Sequence, residues 1–165
     1  MDEPSPTTWV LTGSLENFRA SREIGFSVVG LKERRRRMAE RIEPGDRVIF
    51  YVTVVKSFGA IARVTGELYE DRTRIWPGKP GKADDYPWRF PAEPELVLDE
   101  GGFAPAEELA PELEHARKWP AENWTLAFQG QLRPVTDADA ELIERTMRSA
   151  GAGAGAGVRG CAAPG

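Results

Sequence analysis

Ile42–Trp76 reads IEPGDRVIFYVTVVKSFGAIARVTGELYEDRTRIW, and it carries the strongest strand signals in the chain. Pro44-Gly45-Asp46 is a turn signal that launches an apolar strand over Asp46–Val55. Its residues from Val48 to Val55 are nearly all β-branched or aromatic, which suits a pleated surface. A continuous apolar run of this kind implies burial on both faces, as in a barrel. A short break at Lys56-Ser57 precedes a second strand, Gly59–Tyr69, where Ile61, Val64 and Leu68 alternate with Arg63, Thr65 and Glu67. So short a break predicts an antiparallel hairpin and argues against a parallel α/β sheet, which needs a crossover helix.

Nearer the start, Thr8–Thr12 reads as a buried strand. Ser14 is placed to N-cap a short helix whose face carries Leu15 and Phe18. Ile24–Gly30 is a short apolar segment, and Leu31–Ile42 has a helical period. Pro77–Tyr86 is a polar, turn-rich loop. Trp88–Leu98 resumes strand character, with Pro91 and Pro94 arguing for an edge or a bulge. Pro105–Lys118 reads as a helix broken at Pro111, and Asn123–Arg133 as a last strand. Thr136–Ala150 is a terminal helix capped by Thr136 or Asp137. Residues 1–7 are expected to be a mobile arm, 8–150 one domain, and 151–165 a disordered Gly/Ala tail. About six mostly antiparallel strands with flanking helices make this an α+β, barrel-like domain.

The 165 residues suffice for one domain with a real core. Trp9-Val10-Leu11, the apolar run near the start, is far too short for a secretory signal or a membrane span, so a cytoplasmic protein with no membrane partner is expected. A single Cys161 excludes an internal disulfide and a thiolate metal site. The net charge of −4 disfavours a long nucleic-acid groove held by phosphate contacts alone. The charge is unevenly spread, however. Lys32–Arg41 is basic and Glu93–Glu114 acidic, which suits a short or single-nucleotide contact.

Catalytic chemistry has little footing. His115 is the one histidine, and it reads as a solvated helix residue far from any nucleophile. No metal-ligand spacing and no phosphate-binding glycine loop is present, and no cofactor is expected. Most aromatics read as core, but Trp76 and Trp88 stand at loop ends, where a ring either caps the barrel or touches a ligand. Arg34–Arg37 reads either as a solvated basic helix or as phosphate contacts beside a pocket.

Several pieces in order resemble the EVE domain proteins (UPF0310 type) of the PUA-like superfamily. They are Trp9-Val-Leu-Thr-Gly-Ser with Glu16-Asn17-Phe18, Gly25-Phe26-Ser-Val-Val-Gly30-Leu31, and Pro44-Gly45-Asp46 running to Tyr51. Phe58-Gly-Ala-Ile, Tyr69-Glu-Asp71, Ile75-Trp76, Tyr86-Pro87-Trp88-Arg89, Lys118-Trp119 and Phe128-Gln-Gly130 follow, so the likeness covers roughly residues 8–148. The resemblance implies a PUA-like pseudo-β-barrel related to the YTH, ASCH and SRA domains. It implies a non-catalytic RNA- or DNA-binding module that holds one single-stranded or flipped base, modified in its natural target, in a pocket beside the barrel.

By motif position the resemblance assigns that pocket to Thr12, Gly13, Ser14, Asn17, Phe26, Val29, Gly30, Leu31, Tyr51 and Thr53, with Trp76 and Trp88 near its mouth. Asn17, Ser14 and Thr53 would read the base edge, and Phe26 and Tyr51 would be the walls. Lys32, Arg34, Arg35 and Arg89 would meet phosphate. Relatives often carry Trp just before the glycine matched to Gly30. Val29 stands there, so a stacking wall is lost or moved to Trp76 or Trp88. Two alternatives stay open. One is a small ASCH-like amidohydrolase acting on a modified nucleoside, using Thr53, Lys56 and Glu67; the other is a protein-interaction module.

Overall fold

The computed structural model describes residues 6–77, 85–130 and 132–162, with 152–162 described by backbone only. In chain order the elements are β1 (Thr8–Gly13), α1 (Leu15–Glu23), β2 (Val28–Leu31), α2 (Arg36–Ala39), β3 (Arg47–Val52), β4 (Ser57–Val64), β5 (Tyr69–Glu70), β6 (Trp88–Val97), β7 (Ala104–Pro105), β8 (Leu132–Val135) and α3 (Asp137–Ala162). The strands run in the order β2-β6-β4-β3-β1-β8, with β5 beside β6 and β7 beside β4, and curl into a half-barrel.

The expected hairpin is β3–β4, antiparallel, with Ile49 opposite Ile61 and a register slip between Phe50 and Tyr51. Its turn is wider than the sequence suggests. β3 stops at Val52, and Val54 and Val55 are 73% and 45% exposed. Lys56 closes the turn at φ 49. Alternation sends successive β3 side chains to opposite faces. Val48, Phe50 and Val52 join Trp9, Leu11, Phe18, Phe26 and Leu31 in one core. Ile49 and Tyr51 join Val10, Phe58, Leu113, Phe128 and Ile143 in a second, beneath the C-terminal segments. Both faces are covered, which is why the run is apolar throughout. Each large side chain so buried contributes about 1.5–3 kcal/mol.

The Pro-Gly-Asp turn is itself a tie. Gly45 takes φ 97, and the buried Asp46 carboxylate accepts hydrogen bonds from Trp9 Nε1 at 3.0 Å, Thr7 N at 2.9 Å and Glu43 N at 3.0 Å. It pins the first strand to the start of the third. These two strands are parallel, with Thr12 opposite Tyr51. The sheet is therefore mostly antiparallel with one parallel pair, whose crossover is the α1–β2–α2 excursion.

The sheet has eight strands rather than about six, two of them only two residues long. β6 is not an edge. It pairs with β2 at its start and with β4 further on, and the slip between Ile61 and Ala62 lies beside Pro94, as a bulge. Leu31–Ile42 holds only a 3-10 turn and the short α2, because β2 takes up Leu31. Pro105–Lys118 is a chain of 3-10 turns, since its prolines break the i→i−4 ladder before a helix can form. Ala121–Phe128 is also 3-10, and the last strand is only Leu132–Val135. The terminal helix starts as expected, with Thr136 Oγ1 accepting from Asp139 N. Its backbone extends to Ala162, beyond Gly151, where alanines favour continuation and the alternating glycines oppose it. Residues 1–5 and 78–84 lie outside the described residues, and with them most of the expected arm and of the polar loop. No helix among the described residues is long and apolar enough to cross a membrane.

Candidate nucleobase pocket

The parallel β1–β3 pair brings the ends of two strands together. Gly13 and Ser14 leave the first, and Thr53 leaves the second, with Thr53 N bonded to Gly13 O at 3.0 Å. Ser14 then caps α1, its Oγ accepting from Asn17 N at 3.1 Å, and this capping aims the first turn of the helix at the opening. Between these parts lies an inner slot of about 40 Å³, with room for roughly three waters. It is lined by Thr12, Gly13, Ser14 and Asn17, by Gly30, and by the aromatics Phe18, Phe50, Tyr51, Trp76 and Tyr86. No charged residue is in that lining. The slot adjoins an outer vestibule of about 350 Å³ that shares Thr12, Gly13, Ser14, Asn17 and Tyr86 and adds Lys32, Arg34, Thr53, Phe128, Gln129 and Gly130.

Trp76 is the aromatic wall. Its ring lies against Gly30, its Nε1 donates to Ser21 Oγ at 2.9 Å, and the Arg89 guanidinium sits 5.2 Å from its centroid. Tyr86 packs beside it at 5.8 Å, and its hydroxyl accepts from Asn17 Nδ2 at 3.0 Å. Tyr86 has φ 51, an unfavourable left-handed backbone for a bulky residue. Tyr51 stacks on Phe128 at 4.7 Å and 13°, and burial pushes its phenol up to about 12. Thr12 Oγ1 donates to Phe128 O at 2.9 Å, so the segment before β8 is tied to the slot.

The sequence assignment is thus partly assembled. Thr12, Gly13, Ser14, Asn17, Gly30, Tyr51 and Trp76 line the slot, and Thr53, Lys32 and Arg34 line the vestibule. Four other expected pocket residues lie elsewhere. Phe26 is core, edge-on to Phe18 and Phe50. Val29 and Leu31 point to the same core, and alternation along β2 leaves Gly30 alone on the slot side. Trp88 donates to Glu33 O at 3.1 Å beneath the Arg36 guanidinium, away from the slot. Arg89, expected at phosphate, is turned inward. It is 1% exposed, donates to the carbonyls of Tyr86, Thr73 and Asp85, and faces Asp71 at 3.5 Å. Arg35 borders neighbouring hollows rather than the vestibule itself.

Tyr86, Phe128 and Gln129 were missed; Tyr86 and Phe128 appear among the family-matched pieces, but nothing local marks them as pocket lining. His115 is buried rather than solvated, its Nε2 donating to Ala127 O at 2.6 Å. The Thr53, Lys56 and Glu67 set is not assembled, because Thr53 and Lys56 precede β4 and Glu67 follows it, separated by a strand of roughly 25 Å. Among the described residues no group of His, Cys, Asp and Glu could hold a metal ion.

The fold has known counterparts. The EVE domain family matches residues 7–146. A UPF0310 protein of Pyrococcus horikoshii is 26% identical over 151 residues, 86% of this chain and 99% of that one. A UPF0310 protein of Pyrococcus abyssi is 27% identical over 149 residues, 84% and 98% of the two chains. Among solved structures, the YTH domain of Zygosaccharomyces rouxii MRB1 in complex with N6-methyladenosine RNA is similar at TM-score 0.62 and 17% identity, covering 89% of this chain and 90% of that one. Human THYN1 in complex with 5-methylcytosine containing DNA is similar at TM-score 0.54 and 15% identity, covering 86% and 97%. The chain belongs to the EVE domain family, on the half-barrel that YTH and THYN1 share.

Proposed function

We propose that the protein is a non-catalytic nucleic-acid-binding module that holds one modified nucleobase, unpaired or flipped, at the slot between β1, α1 and Trp76. The observation that carries this reading is the slot's makeup. An uncharged, aromatic-walled cleft with Thr12, Ser14 and Asn17 at its rim opens into a vestibule edged by Lys32 and Arg34. A base needs this combination: ring faces to stack on, hydrogen-bonding groups for its edge, and cations outside for the flanking phosphate. Taking a base from its stack costs a few kcal/mol, and stacking on a protein ring returns roughly 1–3 kcal/mol. The two solved relatives in complex with methylated RNA and methylated DNA support the modified base as the ligand class.

The test is fluorescence anisotropy with RNA and DNA strands carrying N6-methyladenine, 5-methylcytosine or no modification, at one stated salt concentration. One modified strand is expected to bind best. Asn17→Ala and Tyr86→Ala should each weaken that strand about tenfold, within the range that stacking provides. Wild-type binding by both variants would remove the pocket assignment.

A further inference from the structure

Across most of the described surface, arginines are ion-paired: Arg19 with Glu100, Arg47 with Glu95 and Glu144, Arg72 with Glu33 and Glu70. Around Gly130 they are not. Arg35, Lys118 and Arg133 line a hollow of about 280 Å³ there, and among the described residues none of the three has a carboxylate within 4.0 Å. The guanidinium ends converge. Arg133 Nη2 lies 3.5 Å, and Arg35 Nη2 3.7 Å, from the point a Cβ on Gly130 would occupy. Arg133 is held by its Nε, which donates to Gln129 O at 2.8 Å, and Gly130 itself takes φ 83.

Two like charges turned toward one point, with no carboxylate between them, repel unless an anion fills the gap. Guanidinium pairs meet phosphate oxygens with short, charge-assisted hydrogen bonds. Gly130 also lines the vestibule, so this hollow opens beside the base slot. A second hollow, of about 270 Å³, continues along Arg34, Arg35, Arg37 and Arg41. At Thr53 the vestibule rim leads instead to the exposed Val54 and Val55.

We propose that Arg35, Arg133 and Lys118 form a phosphate seat around Gly130, which takes a backbone phosphate of a nucleotide next to the one in the slot. The strand leaves the vestibule on this side, over Arg34, Arg37 and Arg41. The partner is then a single-stranded oligonucleotide running several nucleotides to one side of the base, and not a free nucleoside. The seat's role beside a held base rests on the base-pocket reading, and the experiment separates the two.

The probe is a fluorescein-labelled single-stranded RNA of about nine nucleotides, with and without one central N6-methyladenine, titrated over a salt series. Arg35→Gln with Arg133→Gln should weaken both strands about tenfold and flatten the log–log salt slope by roughly 0.7, one phosphate's worth for single strands. Lysine at both positions should keep the slope, which a merely structural role for the arginines would not predict. Arg145→Gln, an exposed arginine on α3, should behave as wild type. Wild-type affinity and slope in the double glutamine variant would overturn the seat. If the two strands bind alike and the double variant still loses slope, the seat stands and the base-pocket reading fails for this modification.

Discussion

Trp76 and Gly30 touch so closely that a Cβ on residue 30 would stand 2.3 Å from Trp76 Cζ3. No side-chain rotation of Trp76 relieves this cheaply, because its Nε1 is bonded to Ser21 and its ring lies near the Arg89 guanidinium. Gly30→Ala is expected to push Trp76 out of the slot wall. Stability should fall by about 1–3 kcal/mol, the usual cost of overpacking. Modified-strand binding should fall with it, and the tryptophan emission should shift red. Unchanged emission and binding would count against Trp76 as the wall.

Asn17 and Tyr86 share a hydrogen bond at 3.0 Å, so their effects on binding should not add. In a double-mutant cycle of Asn17→Ala and Tyr86→Phe, a coupling of about 0.5–1.5 kcal/mol is expected in the binding of the preferred strand. Strict additivity would mean that the two act separately on the ligand.

Asp46 serves three donors at once, among them the buried Trp9 indole. Asp46→Ala leaves that N–H without its acceptor and unties the first strand from the turn. Chemical denaturation should show a loss of about 2–4 kcal/mol. A loss below about half a kcal/mol, the scale of an ordinary surface change, would contradict the tie.

His115 gives the fold an acid sensitivity of its own. Burial pushes its imidazole below the usual 6.5, which outweighs the opposing bond to the Ala127 carbonyl. A depressed histidine binds its proton more tightly in the unfolded chain. The stability it contributes is therefore present above pH 6.5 and declines as pH falls below that value. Glu100, held below 4.5 chiefly by hydrogen bonds from Arg19, acts only in more acid solution. The melting temperature should fall between about pH 6.5 and 5 in the wild type and much less in His115→Gln. Equal slopes in the two proteins would overturn this.

The fold was legible wherever local chemistry and global burial agreed. The β3–β4 hairpin follows from its β-branched run, and α1 from Ser14, because a cap and an apolar stripe are local facts. The stretch from Ala106 to Phe128 was only partly legible: Pro111 marks a break, but the 3-10 layer packs beside β4 and α3 through contacts distant in sequence. The same limit governs the site. Thr12, Ser14 and Asn17 sit on one short strand-to-helix segment that the family motif marks. Phe128, by contrast, reaches Thr12 across 116 residues, and Tyr86 reaches Asn17 across 69. Arg89 was given to phosphate by its place in the family motif alone, which says nothing of what surrounds it in the fold. Only the folded loops before β6 reveal three carbonyls around it.

The side-by-side ends of β1 and β3 carry a consequence for how this protein can change over time. The rim at Thr53 belongs to a turn whose next two residues, Val54 and Val55, are exposed and absent from either core. That turn can lengthen, shorten or swap side chains while Asp46 and the strand register keep the scaffold intact. The inner slot has no such licence, because Gly30 and Trp76 fix each other. Variants of this chain should therefore diversify at Val54 and Val55 well before they diversify at Gly30 or Trp76.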